Sequence, residues 1–302
     1  YLYYDIIFRR DCQYISLPKK IMDNREILCY NLICMKGDTA MIIDSHAHIF
    51  PDRIAARAAD GISSFYNMRV RFDGSVGSLL EINRKAGVDR AIVQSVATVQ
   101  EQVHNINDFV SGQVKLHPQE LIGFGALHPD FPGIEAETER IISLGLKGIK
   151  LHPDFQHFNV DDPKAFPIYE AAEGRLPILF HVGDSRYDFS SPKRLYNVMK
   201  RFPKLTIIGA HLAGWTKWDE AAELFSGGVI YADLSSSLYA MTPEHAAELI
   251  RKIGANRVMF GTDYPMWSAV EELERFRRLP LTAAEQEDIL YRNALRLLGE
   301  SI

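Results

Sequence analysis

From residue 41 onward, short runs of β-branched and other apolar residues alternate with longer stretches whose apolar positions recur every three or four residues. That rhythm implies parallel strands joined by helical crossovers. The apolar runs predict eight strands: Met41–Asp44, Ala91–Val96, Leu121–Leu127, Leu146–Leu151, Pro177–His181, Leu205–Ala210, Val229–Leu234 and Val258–Thr262. Between them the pattern predicts helices over Ser75–Ala86, Asn105–Val114, Ile134–Leu144, Pro163–Glu173, Pro192–Arg201, Trp218–Phe225 and Pro243–Ile253. Asp162-Pro163, Ser191-Pro192 and Thr242-Pro243 each set a capping residue before a proline at the first helical position. Gly87, Gly145 and Gly254 stand where helices should stop. Eight strand–helix units make a closed (β/α)8 TIM barrel the economical fold. A doubly wound open sheet is the alternative, but no Gly-rich turn follows the first strand to hold a dinucleotide phosphate.

Two segments depart from this rhythm. The connection Ile49–Gly74 is far longer than ordinary loops; part of it, Ile54–Asp60, reads as helix, and it should lie over the barrel mouth. Residues 1–40 lack strand or helical periodicity and hold all three cysteines, Cys12, Cys29 and Cys34, at spacings unlike a zinc knuckle or a disulfide framework. We expect 1–40 to be an N-terminal extension, non-native or disordered, and 41–302 to be the barrel. A hairpin closing the barrel bottom is the alternative for 1–40.

Composition narrows the function more than the fold. Of 302 residues 47% are apolar and 24% charged, an ordinary globular balance. The net charge of -5 offers no basic stripe for nucleic acid. No apolar run is long enough to span a bilayer. The expectation is a cytosolic protein with a small-molecule substrate and no nucleic-acid or membrane partner.

Six of the ten histidines, His46, His48, His128, His152, His181 and His211, fall at or just past the end of a predicted strand. In a barrel of this kind that end is the catalytic face. His46 and His48 are two apart, so on one strand both imidazoles face the same way and could grip one ion. The fifth strand ends at His181, the sixth at His211 and the eighth at Asp263. A polar side chain where an apolar run stops must be paired or ligated, because burying it alone costs a few kcal/mol. Imidazole nitrogen with carboxylate oxygen suits zinc, manganese or iron.

Five motifs together, Asp44-Ser45-His46-Ala47-His48, Gly148-Ile149-Lys150-Leu151-His152-Pro153, Phe180-His181, Gly209-Ala210-His211 and Gly261-Thr262-Asp263-Tyr264-Pro265, resemble the amidohydrolase superfamily. Within it the resemblance is to the branch containing aminocarboxymuconate semialdehyde decarboxylase, and it covers Met41 to the C-terminus. It implies one divalent ion, zinc first with manganese or iron as alternatives, held by His46, His48, His181 and Asp263 with a water at the open position. It also implies His211 as the acid/base residue and Asp263 as a catalytic proton carrier beside it. Relatives in this fold are often dimers, so a homodimer is an expectation too.

The leading reading is a metal-dependent hydrolase that attacks a small carbonyl substrate through a metal-activated water; the alternative is a metal-dependent non-oxidative decarboxylase of a small unsaturated or aromatic acid. Candidate substrate contacts are Lys150, His152, Arg186 and Trp215. Each has a plainer alternative. Lys150 could pair with Asp263 or Asp184, or be carboxylated to bridge two ions. His152 could be held by the Asp154 loop. Asp184 or Asp188 could neutralise Arg186, whose bidentate guanidinium would otherwise suit a carboxylate. Trp215, which could wall an apolar substrate, sits near a helix start.

Overall fold

The computed structural model describes residues 41–301, so the expectation for residues 1–40 lies outside the described residues. The strands are β1 (Ile43–His48), β2 (Arg90–Gln94), β3 (Leu121–Gly123 and Gly125–Ala126, interrupted at Phe124), β4 (Ile149–Leu151), β5 (Ile178–Phe180), β6 (Ile207–Gly209), β7 (Tyr231–Asp233) and β8 (Val258–Met259). Every neighbouring pair is parallel, in chain order. The ring closes where Ser45 N donates to the Phe260 carbonyl at 2.8 Å and Ala47 bridges Tyr264. The fold is a (β/α)8 barrel.

Its interior is filled from the strands by Ile43, Ile92, Ile122, Phe124, Leu179, Ile208 and Met259, and Leu295 plugs the bottom from the C-terminal helix Asn293–Leu298. A second apolar layer lies between strands and helices, so the barrel is a packed core and only its mouth is open to ligands. Thr242 accepts from His245 N at its helix start as its sequence suggests, whereas Ser191 makes no side-chain cap.

Most strands are a few residues shorter than expected, and two boundaries beside the mouth differ more. β1 runs through His48 rather than stopping at Asp44, with its register shifting between Asp44 and Ala47. Such irregularities re-aim side chains beside functional sites. The long connection carries α1 (Asp52–Tyr66), a full 15-residue helix, before α2 (Val76–Ala86). α3 (Val103–Leu116) follows β2. α1 packs inward through its small residues, Ala55 and Ala59.

Candidate metal centre

His46 and His48 are buried at the end of β1, their Nε2 atoms 3.2 Å apart. Asp263 reaches them from beyond β8, with Oδ1 3.5 Å from His46 Nε2 and 3.6 Å from His48 Nε2. All three donor atoms lie within 4.8 Å of one another. An ion about 2.1 Å from each donor would set donors roughly 3.0–3.4 Å apart, close to what is seen.

The tautomer agrees. His46 Nδ1 lies 2.9 Å from Asp233 Oδ2, an acceptor, so the ring proton sits on Nδ1 and the Nε2 lone pair faces the mouth. Burial holds His46 and His48 well below the ordinary histidine range, with Lys150 adding to the effect on both. They are therefore neutral, as ligands must be. Burial raises the Asp263 carboxyl above its usual range, opposed by Ser236 Oγ, which donates to Oδ2 at 2.6 Å. Two lone pairs and a carboxylate converging on one point make a donor set that fits a divalent cation.

The backbone explains the convergence. Asp44 accepts from Thr262 N at 3.0 Å and Thr262 Oγ1 at 2.7 Å, and also from His46 N at 3.0 Å. It ties the start of β1 to the segment that follows β8, and burial pushes its own carboxyl up to about 7. Asp263 and His211 both take left-handed backbone, φ 61°, turning each side chain off its strand end. Non-glycine residues rarely hold that conformation unless their surroundings enforce it.

His211 Nδ1 lies 3.0 Å from the Ser235 carbonyl oxygen, so that nitrogen carries the proton and Nε2 is an acceptor. Nε2 lies 3.1 Å from His181 Nδ1. Burial brings the His211 imidazole down to about 4. His181 does not join the donor triple of His46, His48 and Asp263. Instead its ring stacks on His152 at 3.9 Å, and its Nε2, 3.8 Å from Asp154 Oδ2, has no hydrogen-bond partner.

Lys150 is fully buried, its Nζ 3.3 Å from His46 Nε2. Burial lowers its pKa, opposed by Asp233 and Asp263. Neither ion pair weighed from sequence, with Asp263 or with Asp184, forms among the described residues; Asp184 is taken by Arg186. His152 accepts from Phe155 N through Nδ1, and its Nε2 meets the Tyr66 hydroxyl at 2.9 Å. Arg186 requires a correction as a substrate clamp. Its guanidinium grips Asp184 through Nε (2.9 Å) and Nη2 (2.6 Å), donates to the Phe65 carbonyl at 2.6 Å, and lies among Phe65, Tyr66, Tyr187 and Trp215. With three of its five N–H donors engaged within the protein, it fastens the end of α1 over the mouth. Trp215 helps wall a small pocket with His181, His211 and Asp263 and donates to the Tyr239 hydroxyl at 3.2 Å. Gly183 (φ 109°) lets that loop press on the Trp215 backbone, where any Cβ would collide.

The Amidohydrolase family pattern matches residues 43–299. The chain belongs to that family. Among the relatives of this chain is 2-amino-3-carboxymuconate-6-semialdehyde decarboxylase of Dictyostelium discoideum, 25% identical over 240 residues, 64% of this chain and 65% of that protein. The match thus spans just under two thirds of that relative's length. Two solved structures share the fold. 5-Carboxyvanillate decarboxylase from Sphingomonas paucimobilis superposes with TM-score 0.69 at 17% identity, covering 87% of this chain and all of that one. Dihydroxybenzoic acid decarboxylase from Polaromonas sp., with bound manganese and 2-nitroresorcinol, gives 0.68 at 16% identity, covering 86% of this chain and 97% of that one.

Sequence reasoning missed Asp233 and Tyr66. Asp233 closes an apolar run, the same signal that found His181 and His211. Tyr66 carries no such signal, since its place depends on how α1 lies across the mouth. Among the described residues no helix is long and apolar enough to cross a membrane.

Proposed function

We propose that this chain is a metal-dependent, non-oxidative carboxy-lyase acting on an unsaturated or aromatic acid. This replaces hydrolysis, the leading expectation from sequence, as the preferred reading. The observation that carries it is the buried Lys150 ammonium beside the His46–His48–Asp263 triple, at the inner end of an apolar cavity. A buried cation there is suited to receive a carboxylate. The decarboxylase names of the relative and the two structural neighbours point the same way.

His46, His48 and Asp263 would hold one divalent ion; His181, a ligand by the resemblance, lies outside this triple. Imidazole and carboxylate donors suit zinc and manganese alike, and elemental analysis of the purified chain decides between them. When bound, such an ion supplies Lewis-acid charge that steadies electron density building on the substrate. Lys150 positions the acid by its carboxylate. His211, fixed through Nδ1, takes a proton from water at Nε2 and delivers it to the carbon bearing the carboxylate. The carbon–carboxylate bond then breaks, its electron pair re-forms the π bond that protonation used, and carbon dioxide leaves. The net change converts the carboxylate and one water into the protonated product, carbon dioxide and hydroxide.

Ring-hydroxylated benzoates incubated with the metal-loaded chain in D2O should release carbon dioxide and gain one deuterium at the vacated carbon. Cleavage of lactones or amides without carbon dioxide release would overturn this reading in favour of hydrolysis. His211→Ala should keep its metal while turnover falls by about 10²–10⁴; undiminished turnover would remove His211 from the chemistry.

A further inference from the structure

The cavity that opens onto the site is about 900 Å³. That lies near the top of the roughly 300–1,000 Å³ range that encloses drug-sized ligands, far more than a single-ring acid fills. Part of its lining comes from two helices. Ile54, Ala58, Ile62 and Phe65 form one stripe of α1, facing Ile106 and Phe109 of α3, and all six line the cavity and stay half-buried. From position 54 to 65 the stripe runs about 16 Å.

The side chains on α1 are distributed against its own burial. An amphipathic helix ordinarily turns its large apolar residues to the core. Here the alanines Ala55 and Ala59 meet the barrel, while two isoleucines are left facing the cavity and Phe65 closes its end, packed on Phe155 and Tyr187. At the inner end the same cavity is lined by His48, Lys150, His181, His211 and Asp263; at its border stand the exposed Arg53, Gln102 and Asn105. The apolar channel is thus continuous with the proposed reaction site and has polar residues at its border.

We propose that the substrate is an acid carrying an apolar arm longer than one ring, an alkyl chain or second ring, which lies in this channel between α1 and α3 while the carboxylate meets Lys150. The inference rests on the carboxy-lyase reading for the carboxylate end and deepens it by assigning the substrate's other end. Ile62 and Phe109 are specificity residues, setting which arm fits.

The test is calorimetric binding of benzoate and 4-alkylbenzoates from methyl to hexyl to the full metal-free chain, which reads occupancy of the channel without turnover. Each buried methylene should tighten binding roughly fourfold, as about 0.8 kcal/mol per methylene requires. Ile62→Trp, which fills the channel, should stop that gain after the shortest members. Phe109→Ala, which widens it, should extend tight binding to a 4-arylbenzoate and covers the case in which the tryptophan variant fails to fold. Affinities that do not change with chain length, or concentration-dependent self-association of the chain that Ile62→Trp abolishes, would overturn the proposal. Carbon dioxide release is scored separately with ring-hydroxylated counterparts. Length-dependent binding without any release would sink the carboxy-lyase reading and leave the channel assignment standing; release from short acids with no length dependence would do the reverse.

Discussion

The two sides of the barrel mouth are positioned by different parts of the chain. On the side formed by β1, β7 and β8, the donor atoms are held by the barrel's own strand ends: Asp233 fixes His46, Asp44 joins β1 to Thr262, and Ser236 holds Asp263. On the side formed by β4 and β5, His152 and His181 stack face to face, and the support comes from the inserted helix. Tyr66 of α1 meets His152, and Arg186 fastens the Phe65 carbonyl. The first side leaves its nitrogen lone pairs converging on an oxygen; the second leaves the His181 Nε2 and an Asp154 oxygen without partners. The difference assigns metal chemistry to the barrel and substrate fit to the insertion.

The largest expected effect breaks the first side. Asp263→Asn should strip the ion and abolish turnover while the barrel stays folded, because its apolar core lies elsewhere; elemental analysis beside circular dichroism checks both halves. If His181→Ala keeps full metal content while Asp263→Asn loses it, the ion belongs to the β1–β8 side alone. Next comes Asp233→Asn, which removes the acceptor orienting His46. It should weaken metal affinity about 10–100-fold, as loss of such a supporting partner typically does, read by competition with a chelator.

On the second side, Tyr66→Phe leaves the His152 Nε2 without its partner. Metal affinity should stay unchanged and KM rise a few-fold; a fall in metal affinity would mean the two sides are not separable. The smallest effect tests the shell outside both. Glu272, on the helix Ala269–Phe276, is buried, one oxygen lacks a hydrogen bond, and burial pushes its carboxyl up to about 7. A carboxyl raised in the folded state stabilises least once ionised, so its contribution is lost as pH rises from about 4.5 through 7. Glu272→Gln should therefore melt progressively higher relative to the parent as pH goes from 5 to 8; a difference independent of pH would contradict the assignment.

How much of this was legible in sequence follows from where the information sits. The eight strands could be counted because each is an apolar run ending in a turn, and His46, His48, His181, His211 and Asp263 stood out as polar residues ending such runs. Asp233 obeys the same rule and was readable in principle. β1 was drawn too short because its functional half, from Ser45 to His48, is polar. α1 was drawn too short because Gly61, Ser63 and Ser64 interrupt its pattern, and its last turn is held by Arg186 from a distant loop. The role of Arg186 itself was open in sequence, since Asp184 two residues away and a substrate carboxylate compete for the same fork. His181 and the placement of Tyr66 depend on ring orientation and helix docking, which periodicity does not encode.

The most direct measurement of the central claim is a crystal structure of the metal-loaded full chain with anomalous scattering recorded at the metal edge. The account predicts one anomalous peak per chain, bonded to Nε2 of His46, Nε2 of His48 and a carboxylate oxygen of Asp263. A peak seated instead between His152 and Asp154, with the His46–His48–Asp263 triple left empty, would contradict it.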